Sequence, residues 1–376
     1  MVQKKDIEKR IEDLQGEILN FLRDIVEHES PTSDREAVNS LGEKLKEKFI
    51  KYLPEAKTYG DEYSVFLLRK GKGNSIFISH IDTVHPIGTI KINPFRKENG
   101  KVFGPGALDM KAGVVALYFA IKIVSEHGLL PDFAFLMNTE EEEGSSHTRD
   151  YMKRISRDYK YCFSLEPSGP DGKLKTSRKG VISLKISVKG RMAHAGLAPE
   201  KGVNAIDELI DQLSELREWI SVREGSFTIG VIRGGEKPNV VPGDAFALVD
   251  IRFEKEGFSE MLNEYMNNIS PVRKGAIVTM NFESFVPPLI PSLQQRKLYT
   301  RLKNLLSGIG VEIEETHSAG GSDASWFSRW GLAAIDGLGP SGEGAHSENE
   351  FLYFESLKQR ILILTYILMH LKELTP

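Results

Sequence analysis

Residues 133–144 read FAFLMNTEEEEG, and they carry the clearest signal of how this chain folds. The first part, Phe133–Met137, is a short continuous apolar run, which predicts a strand that is buried on both faces of a sheet. Four consecutive glutamates, Glu140–Glu143, come directly after it. Neighbouring carboxylates repel one another, so such a cluster at a strand end has no structural use unless a bound dication compensates its charge. The stretch therefore predicts a covered sheet with a metal site beside it.

Further residues of metal-binding types stand at comparable places along the chain. His80 and Glu166 each end an apolar run, and His346 lies in a late glycine-rich loop. Asp109 precedes a helix start, where its alternative role is that of an N-cap. Because ligands bind at the carboxyl ends of strands in open α/β sheets, we expect these side chains to converge there. Carboxylate and imidazole ligands without a thiolate suit zinc, cobalt or manganese.

Asp82 and the other histidines are interpreted separately. Asp82 stands two residues after His80, where its carboxylate can orient the imidazole, although a turn-forming aspartate is the alternative. His85 and His317 lie near these motifs in loops that contain glycine or proline, and their roles stay open. Ordinary surface or core roles are expected for the remaining histidines of this kind, which are His28, His127, His147 and His370.

The order of strand and helix signals indicates two domains. Residues 1–177 and 289–376 alternate the two kinds of signal, which predicts an α/β catalytic domain with a mostly parallel sheet covered by helices. Apolar residues at helical spacing predict one long amphipathic helix over residues 4–28. The same signal predicts helices over residues 110–124 and 354–373.

Residues 178–288 interrupt this alternation and predict an inserted α+β sandwich that serves as a lid and for dimerisation. Val181–Val188 alternates apolar and polar residues with period two, which is typical of a half-exposed antiparallel strand. Such a strand could pair with its copy across a two-fold axis. A following helix is expected to present one apolar face made of Ile206, Leu209, Ile210, Leu213 and Leu216.

The composition excludes several classes of protein. The chain has 376 residues, of which 27% are charged, and its net charge is -4, without a basic stretch interleaved with aromatics. Nucleic acid is therefore not an expected partner. The single cysteine, Cys162, excludes an intrachain disulfide. No apolar run reaches the ~18 residues that a membrane span needs. Because the N-terminus also resembles no signal peptide, the sequence predicts a cytoplasmic protein without a membrane partner.

Together the motifs resemble those of the zinc aminoacylase/carboxypeptidase family. That family includes acetylornithine deacetylase, succinyl-diaminopimelate desuccinylase, the aminoacylases and the folate-cleaving glutamate carboxypeptidase. The segments that carry the resemblance cover nearly the whole chain in order, and they are SHIDTV (79–84), GPGALDMK (104–111), EEEEG (140–144), SLEPS (164–168), AHAG (193–196), PNVVP (238–242), DIR (250–252), GGSDA (320–324) and GAHS (344–347). The SLEPS form and the overall spacing are most similar to the glutamate carboxypeptidase branch, whose fold is that of the di-zinc exopeptidases.

The resemblance implies two divalent metal ions, with zinc foremost and cobalt or manganese as alternatives. One ion is held by His80 and Glu166, the other by Glu142 and His346, and Asp109 bridges both. The peptide after Asp109 is then expected to be cis.

The resemblance also assigns the general base to Glu141, the neighbour of the ligand Glu142. The family usually has Asp-Glu-Glu where this chain has Glu140–Glu142. The fourth glutamate, Glu143, leaves a register one residue earlier or later open.

The inserted domain supplies further residues by the same resemblance. His194 is expected to reach the active site of the other subunit and to stabilise an oxyanion, with a solvated loop histidine as the alternative. Arg252 is expected to bind a substrate carboxylate, with a surface ion pair as the alternative. Asn239, Gly321 and Ser322 are expected to bind substrate as well.

The sequence thus predicts a homodimeric di-metal amidohydrolase. It is expected to cleave the amide of an N-acyl amino acid or short peptide beside a free carboxylate, with C-terminal glutamate as the leading product. An N-acyl amino acid deacylase is the first alternative. A catalytically silent metal-binding protein on the same fold is the second.

Overall fold

A computed structural model describes residues 2–376. The helices are α1 (Lys4–Asp13), α2 (Gln15–Val26), α3 (Arg35–Phe49), α4 (Thr89–Ile92), α5 (Ala112–Glu126), α6 (Arg149–Ser156), α7 (Ala205–Ser221), α8 (Phe258–Asn267), α9 (Leu293–Ser307), α10 (Asp323–Arg329), α11 (Phe354–Met369) and α12 (Leu371–Leu374). The strands are β1 (Glu55–Tyr59), β2 (Val65–Lys70), β3 (Ser75–His80), β4 (Arg96–Glu98), β5 (Lys101–Phe103), β6 (Phe133–Asn138), β7 (Tyr161–Ser164), β8 (Leu174–Arg178), β9 (Gly180–Lys189), β10 (Ala193–His194), β11 (Ser226–Gly234), β12 (Val240–Val241), β13 (Asp244–Phe253), β14 (Ile277–Val286), β15 (Glu315–Ser318), β16 (Ala333–Ile335), β17 (Gly342–Glu343) and β18 (Phe351–Tyr353). The chain forms two compact units, each with its own hydrophobic core.

The first unit combines the chain up to Ser177 with Pro291–Ser318 and Ser322–Pro376. Its six-stranded sheet has the order β1-β2-β6-β3-β7-β16. Strands β6, β3, β7 and β16 are parallel, while β1 and β2 extend one edge in antiparallel pairing. Every residue of β3 and β6 is buried, as expected of strands that are covered on both faces. The predicted α/β class with a mostly parallel sheet is confirmed.

The N-terminal helix differs from the prediction. The structure has α1 and α2 where one helix over residues 4–28 was expected, and the chain bends at Leu14 (φ -92°, ψ 0°). Gly16, in the first turn of α2, disfavours continuous helix by about 1 kcal/mol relative to alanine. Both helices still bury their apolar faces. The apolar spacing predicted the buried face correctly, but it does not predict the bend at Leu14.

The C-terminal helix ends four residues before the predicted boundary at 373. α11 ends at Met369, and the short α12 follows after His370. α5 packs against both α2 and α11, so it is buried on nearly all sides. In the described chain, residues 2–376, no helix is long and apolar enough to cross a membrane.

The second unit comprises Arg178–Ile290 and Ala319–Gly321. Its antiparallel sheet has the order β11-β13-β9-β14, and the apolar residues of α7 and α8 join its core. The predicted period-two strand is present as β9, whose alternate residues are fully buried. However, β9 is hydrogen-bonded to β13 on one side and to β14 on the other. The expectation that this strand pairs with its copy is therefore wrong, because β11 and β14 are the edges.

The apolar face of α7 also differs from the prediction. Leu209, Leu213 and Leu216 are buried against the sheet, but Ile210 is 51% exposed. At about 100° per residue, the position after Leu209 turns away from the buried stripe. Ile210 instead lines a groove of about 500 Å³ between α7 and the edge strand β11.

Candidate metal centre

Three predicted ligands lie at the ends of neighbouring parallel strands in the first unit. His80 is the last residue of β3. Glu166 comes shortly after β7, and Glu142 lies in a short 3-10 turn that follows β6. The strand order β6-β3-β7 makes these three ends adjacent. The sheet topology therefore brings together side chains that are far apart in the sequence, from His80 to Glu166.

The other two predicted ligands come from irregular segments. Asp109 lies in an irregular turn, Ala107–Lys111, directly before α5, and the peptide that follows Asp109 is cis, as expected. His346 lies in the loop between β17 and β18 and has a left-handed backbone (φ 64°), which is uncommon for a residue other than glycine. The side chains of Asp109 and His346 are therefore oriented by irregular backbone and not by a regular helix or strand.

The side-chain atoms form two groups that share Asp109. In the first group, His80 Nε2 is 3.3 Å from Asp109 Oδ1 and 3.8 Å from Glu166 Oε1. In the second group, His346 Nε2 is 3.6 Å from Asp109 Oδ2 and 3.1 Å from Glu142 Oε2. Each oxygen of Asp109 thus faces a different histidine. All ligand atoms within a group lie within 4.8 Å of one another.

These groups fit a pair of divalent metal ions. Two ligand atoms that share a tetrahedral zinc, each about 2.0–2.2 Å from it, lie roughly 3.4 Å apart, which is close to the spacing found here. Glu142 Oε1 is buried and has no hydrogen-bond partner among residues 2–376. A buried carboxylate oxygen without a partner is costly, and a cation would satisfy it. The oxygen and nitrogen donors suit zinc, cobalt or manganese.

Electrostatics in the two groups favours added positive charge. Burial by itself would lower the pKa of His80, but hydrogen bonds to Asp109 and Asp82 raise that pKa well above its ordinary value. Burial would raise the pKa of Asp109, yet hydrogen bonds with His346 and His80 hold that pKa far below its usual range. Hydrogen bonds to Asp109 and Glu142 raise the pKa of His346 to about 10. Without metal, the carboxylates therefore retain protons on the histidines.

Asp82 links the first histidine to the glutamate turn. The backbone oxygen of Asp82 is 3.0 Å from His80 Nδ1, which leaves Nε2 directed at the ligand group. Its buried carboxylate accepts hydrogen bonds from the backbone amides of Glu141 (3.2 Å) and Glu142 (3.1 Å), and from the Thr32 hydroxyl (2.8 Å). Asp82 therefore holds the imidazole and the turn in a fixed relation. Thr32 was not identified from the sequence, because no motif connects it to Asp82.

The four glutamates have different surroundings. The buried carboxylate of Glu140 accepts hydrogen bonds from the backbone amides of His147 (2.9 Å) and Thr148 (3.0 Å). Glu143 pairs with Arg35 at 2.9 Å. Glu140 and Glu143 thus have local partners, which favours the register in which Glu142 is a ligand and Glu141 is the base.

Glu141 itself belongs to neither ligand group. Burial and the nearby charge of Glu166 raise the pKa of the Glu141 carboxyl well above its ordinary value. A carboxylate of raised pKa is a better proton acceptor, which suits a general base.

His194 and Asn239 are neighbours within the second unit. β10 pairs with β12, so that His194 lies opposite Val240, and the Ala195 amide donates to the Asn239 oxygen at 3.0 Å. His194 Nδ1 accepts hydrogen bonds from the amides of Gly196 and Leu197. The neutral ring therefore carries its proton on Nε2. His194 is exposed.

The other predicted substrate residues already have partners. Both oxygens of Asp250 accept hydrogen bonds from Arg252 at 2.8 Å, which is the ion pair named as the alternative. The Gly321 oxygen accepts from Arg178 Nη1 at 2.7 Å. Ser322 caps α10, where its hydroxyl accepts from the Ala324 amide at 3.1 Å. A role for these residues in substrate binding remains a prediction.

The two histidines whose roles were open have distinct partners. His317 Nδ1 lies 3.0 Å from the Ser177 hydroxyl, and His317 belongs to neither ligand group. His85 is buried, and its Nε2 lies 2.7 Å from the carboxylate of Glu350. Glu350 was not identified from the sequence. Its position four residues after His346 is the only local signal.

Comparisons with known proteins agree with this architecture. The family model for peptidase family M20/M25/M40 matches residues 76–370. Carboxypeptidase G2 from Pseudomonas sp. (strain RS-16) is 27% identical over 392 residues, which cover 99% of this chain and 94% of that protein. A succinyl-diaminopimelate desuccinylase from Rickettsia canadensis (strain McKiel) is 28% identical over 378 residues, covering 91% and 95%. The crystal structure of an M20 family metallo-carboxypeptidase from Sulfolobus solfataricus superposes with a TM-score of 0.72 at 18% identity, covering 94% and 98% of the two chains.

Proposed function

The chain belongs to peptidase family M20/M25/M40, and from this premise we propose that it cleaves an amide bond beside a free carboxylate, in an N-acyl amino acid or a short peptide. It is a metal-dependent hydrolase. The leading substrate class releases C-terminal glutamate. The likeness to carboxypeptidase G2 over almost the whole chain supports this choice.

The shared position of Asp109 between two ligand groups is the observation that carries the proposal. His80 and Glu166 would hold one ion, and Glu142 and His346 the other. Two divalent ions would lower the pKa of a water molecule and polarise the amide carbonyl. Zinc is the proposed metal, and cobalt or manganese would suit the same donors.

Proton transfer is assigned to Glu141. Its carboxylate takes the proton of the attacking water and delivers it to the leaving amine. Asp82 is a positioning residue in this scheme, since it holds both His80 and the backbone of the glutamate turn. The raised pKa of Glu141 supports its role as proton acceptor.

The second unit is proposed to complete the site. His194 Nε2 would donate a hydrogen bond to the developing oxyanion. Arg252 and Asn239 would bind the substrate carboxylate, and Gly321 and Ser322 would bind the substrate backbone. For Arg252 this requires that the substrate carboxylate share or replace Asp250 as its partner.

We further propose that the protein is a homodimer formed through β11 and α7. β11 is an edge strand with one unpaired side. Ile210, Val222 and Ile232 line the adjacent groove and are 51%, 74% and 54% exposed. An unpaired edge beside an apolar groove suits a second copy, because antiparallel pairing of two β11 strands would cover both grooves about one two-fold axis.

Deacylation of an N-acyl amino acid is the second candidate, since several relatives are named succinyl-diaminopimelate desuccinylase. The test is a panel of N-acyl glutamates, other N-acyl amino acids, N-succinyl-diaminopimelate and dipeptides, assayed with zinc, cobalt or manganese. Glu141→Gln is the inactive control. Fastest release of glutamate would support the leading proposal, whereas preference for the succinyl substrate would support the second. No turnover of any member by metal-loaded protein would favour a silent metal-binding protein.

A further inference from the structure

We infer that Glu350 positions the bridging ligand Asp109 and, with His85, joins the segments that carry the metal ligands. This inference rests on the proposed metal centre and deepens it. Glu350 belongs to neither ligand group, and no substrate contact is assigned to it. It is therefore a positioning residue rather than a catalytic one.

The Glu350 carboxylate is fully buried and makes hydrogen bonds with both oxygens. Oε1 accepts from the backbone amides of Leu108 at 2.7 Å and Asp109 at 3.0 Å. Oε2 accepts from the backbone amide of Gly106 at 2.9 Å and lies 2.7 Å from His85 Nε2. One side chain thus accepts from three backbone amides of the turn that presents Asp109.

The turn needs such a partner because it is irregular. Gly104 and Gly106 have positive φ angles (151° and 68°), and Asp109 and Met110 leave helical geometry. Amides in a turn of this kind cannot all bond to backbone oxygens, and a buried amide without a partner is costly. An ionised carboxylate can accept several hydrogen bonds, and charged acceptors form stronger bonds than neutral ones. Glu350 therefore fixes the backbone from which Asp109 extends.

The position of Glu350 in the chain connects separate ligand segments. It lies four residues after His346 in the same loop, and its own backbone oxygen accepts from the Gly104 amide at 3.4 Å. His85, its other partner, follows His80 by five residues. A change at Glu350 should therefore displace Asp109, the ligand that both groups share. We expect it to weaken the binding of both ions rather than one.

A purely structural role would have a different consequence. A carboxylate that only stabilises the fold would lower the melting temperature of the metal-free protein and leave the affinity of the folded protein for metal unchanged. A positioning role lowers metal affinity in protein that remains folded. Partners behind metal ligands typically contribute 10–100-fold to affinity.

The test compares Glu350→Gln with Glu348→Gln, an exposed carboxylate two residues away in the same loop. Metal-free protein is titrated with Co²⁺ and followed by visible absorption, and the melting temperature of the metal-free form is measured separately. In Glu350→Gln an amide nitrogen replaces one carboxylate oxygen. This nitrogen cannot accept a hydrogen bond from the backbone amide of Gly106 or of the neighbouring residues in the turn. We expect a 10–100-fold weaker affinity for both ions, with Glu348→Gln like the wild type.

His85→Leu is the second variant, because it removes one donor and keeps the Glu350 carboxylate. We expect about tenfold weaker binding of both ions. If Glu350→Gln does not fold, the inference is tested by His85→Leu alone. Wild-type metal affinity in folded His85→Leu would then overturn it. Wild-type affinity in folded Glu350→Gln overturns it directly. A wild-type protein that binds no Co²⁺ would instead contradict the proposed metal centre. The Co²⁺ titration therefore distinguishes failure of the metal centre from failure of the role inferred for Glu350.

Discussion

Glu141 and Glu142 are adjacent in the chain, yet their carboxylates have different neighbours. Glu142 Oε2 lies 3.1 Å from His346 Nε2 and belongs to a ligand group. Glu141 belongs to neither group and has a raised pKa, caused by burial and by Glu166. This difference supports the proposed division of roles, in which Glu142 binds metal and Glu141 transfers the proton.

Glu141→Gln keeps the size of the side chain and removes its capacity to accept a proton. We expect the variant to retain both ions and to lose ~10²–10⁴-fold or more in kcat. Metal content by atomic spectroscopy and turnover of the best substrate would be measured on the same preparation. Glu142→Gln is the matched control and should lose metal. The opposite pattern, with metal lost from Glu141→Gln only, would move the register by one residue.

His346 provides a prediction about protons. Its pKa is raised from 6.5 to about 10, chiefly by hydrogen bonds to Asp109 and Glu142. Between pH 6.5 and about pH 10, the raised pKa keeps the His346 ring charged in the folded metal-free protein. Only the neutral ring binds a metal ion. Metal binding should therefore release protons below about pH 10, and apparent affinity should rise with pH up to that point.

Calorimetry in buffers of different ionisation enthalpy would measure this release at pH 8. His346→Gln should release fewer protons than the wild type, while the exposed His127→Gln should not differ from it. Equal proton release in the wild type and His346→Gln would show that His346 is not a ligand.

Some residues of the site could be predicted from the local sequence, and others could not. The glutamates follow β6 and His80 ends β3, and both stand at the ends of apolar runs, so the local pattern predicts their positions. Glu350 contacts the Gly106–Asp109 turn across more than 240 positions, and nothing local encodes that contact. The pairing of Arg252 with Asp250 is local, but the sequence does not reveal whether this ion pair or a substrate carboxylate is preferred.

At the scale of secondary-structure elements, the strand edges of the second unit determine how copies can associate. β9 is interior, so its half-buried alternate residues lie on a sheet face and not on an edge. The period-two pattern gives the orientation of side chains relative to the sheet, but it does not give the position of a strand in the sheet order. β11 and β14 are the available edges.

A lysine on the edge of the proposed interface should separate the subunits. Ile232→Lys on β11 introduces charge into the apolar groove, and we expect a shift from dimer to monomer. Ile277→Lys on the opposite edge strand, β14, is the matched control, since Ile277 is similarly exposed at 63%. Sedimentation analysis would measure the mass of each variant. Dissociation of Ile277→Lys with an intact Ile232→Lys dimer would place the interface on the other edge.

The elements themselves were mostly predictable where an apolar pattern was strong. β6 and α5 both appear close to their predicted positions. The bend at Leu14 was not predictable, because the apolar stripe continues through it. β1 was not predicted either, since its residues are largely exposed and carry no apolar alternation.

At the scale of the whole molecule, the predicted site residues are distributed over the two units. The predicted metal ligands all belong to the first unit, whereas His194, Asn239 and Arg252 belong to the second. If a dimer completes each site in trans, mixing inactive His194→Ala with inactive Glu141→Gln should restore part of the activity. One site in each mixed dimer would then have both groups. Subunit exchange without recovery would refute sharing in trans.

Residues from five segments of the chain are proposed to hold two ions around Asp109. Diffraction from crystals grown with zinc, recorded on both sides of the zinc absorption edge, tests this proposal most directly. We predict two anomalous peaks per chain, one contacted by His80, Asp109 and Glu166 and the other by Asp109, Glu142 and His346, with zinc–nitrogen distances of ~2.0–2.1 Å. A single peak, or any of these side chains directed away from both peaks, would contradict the account.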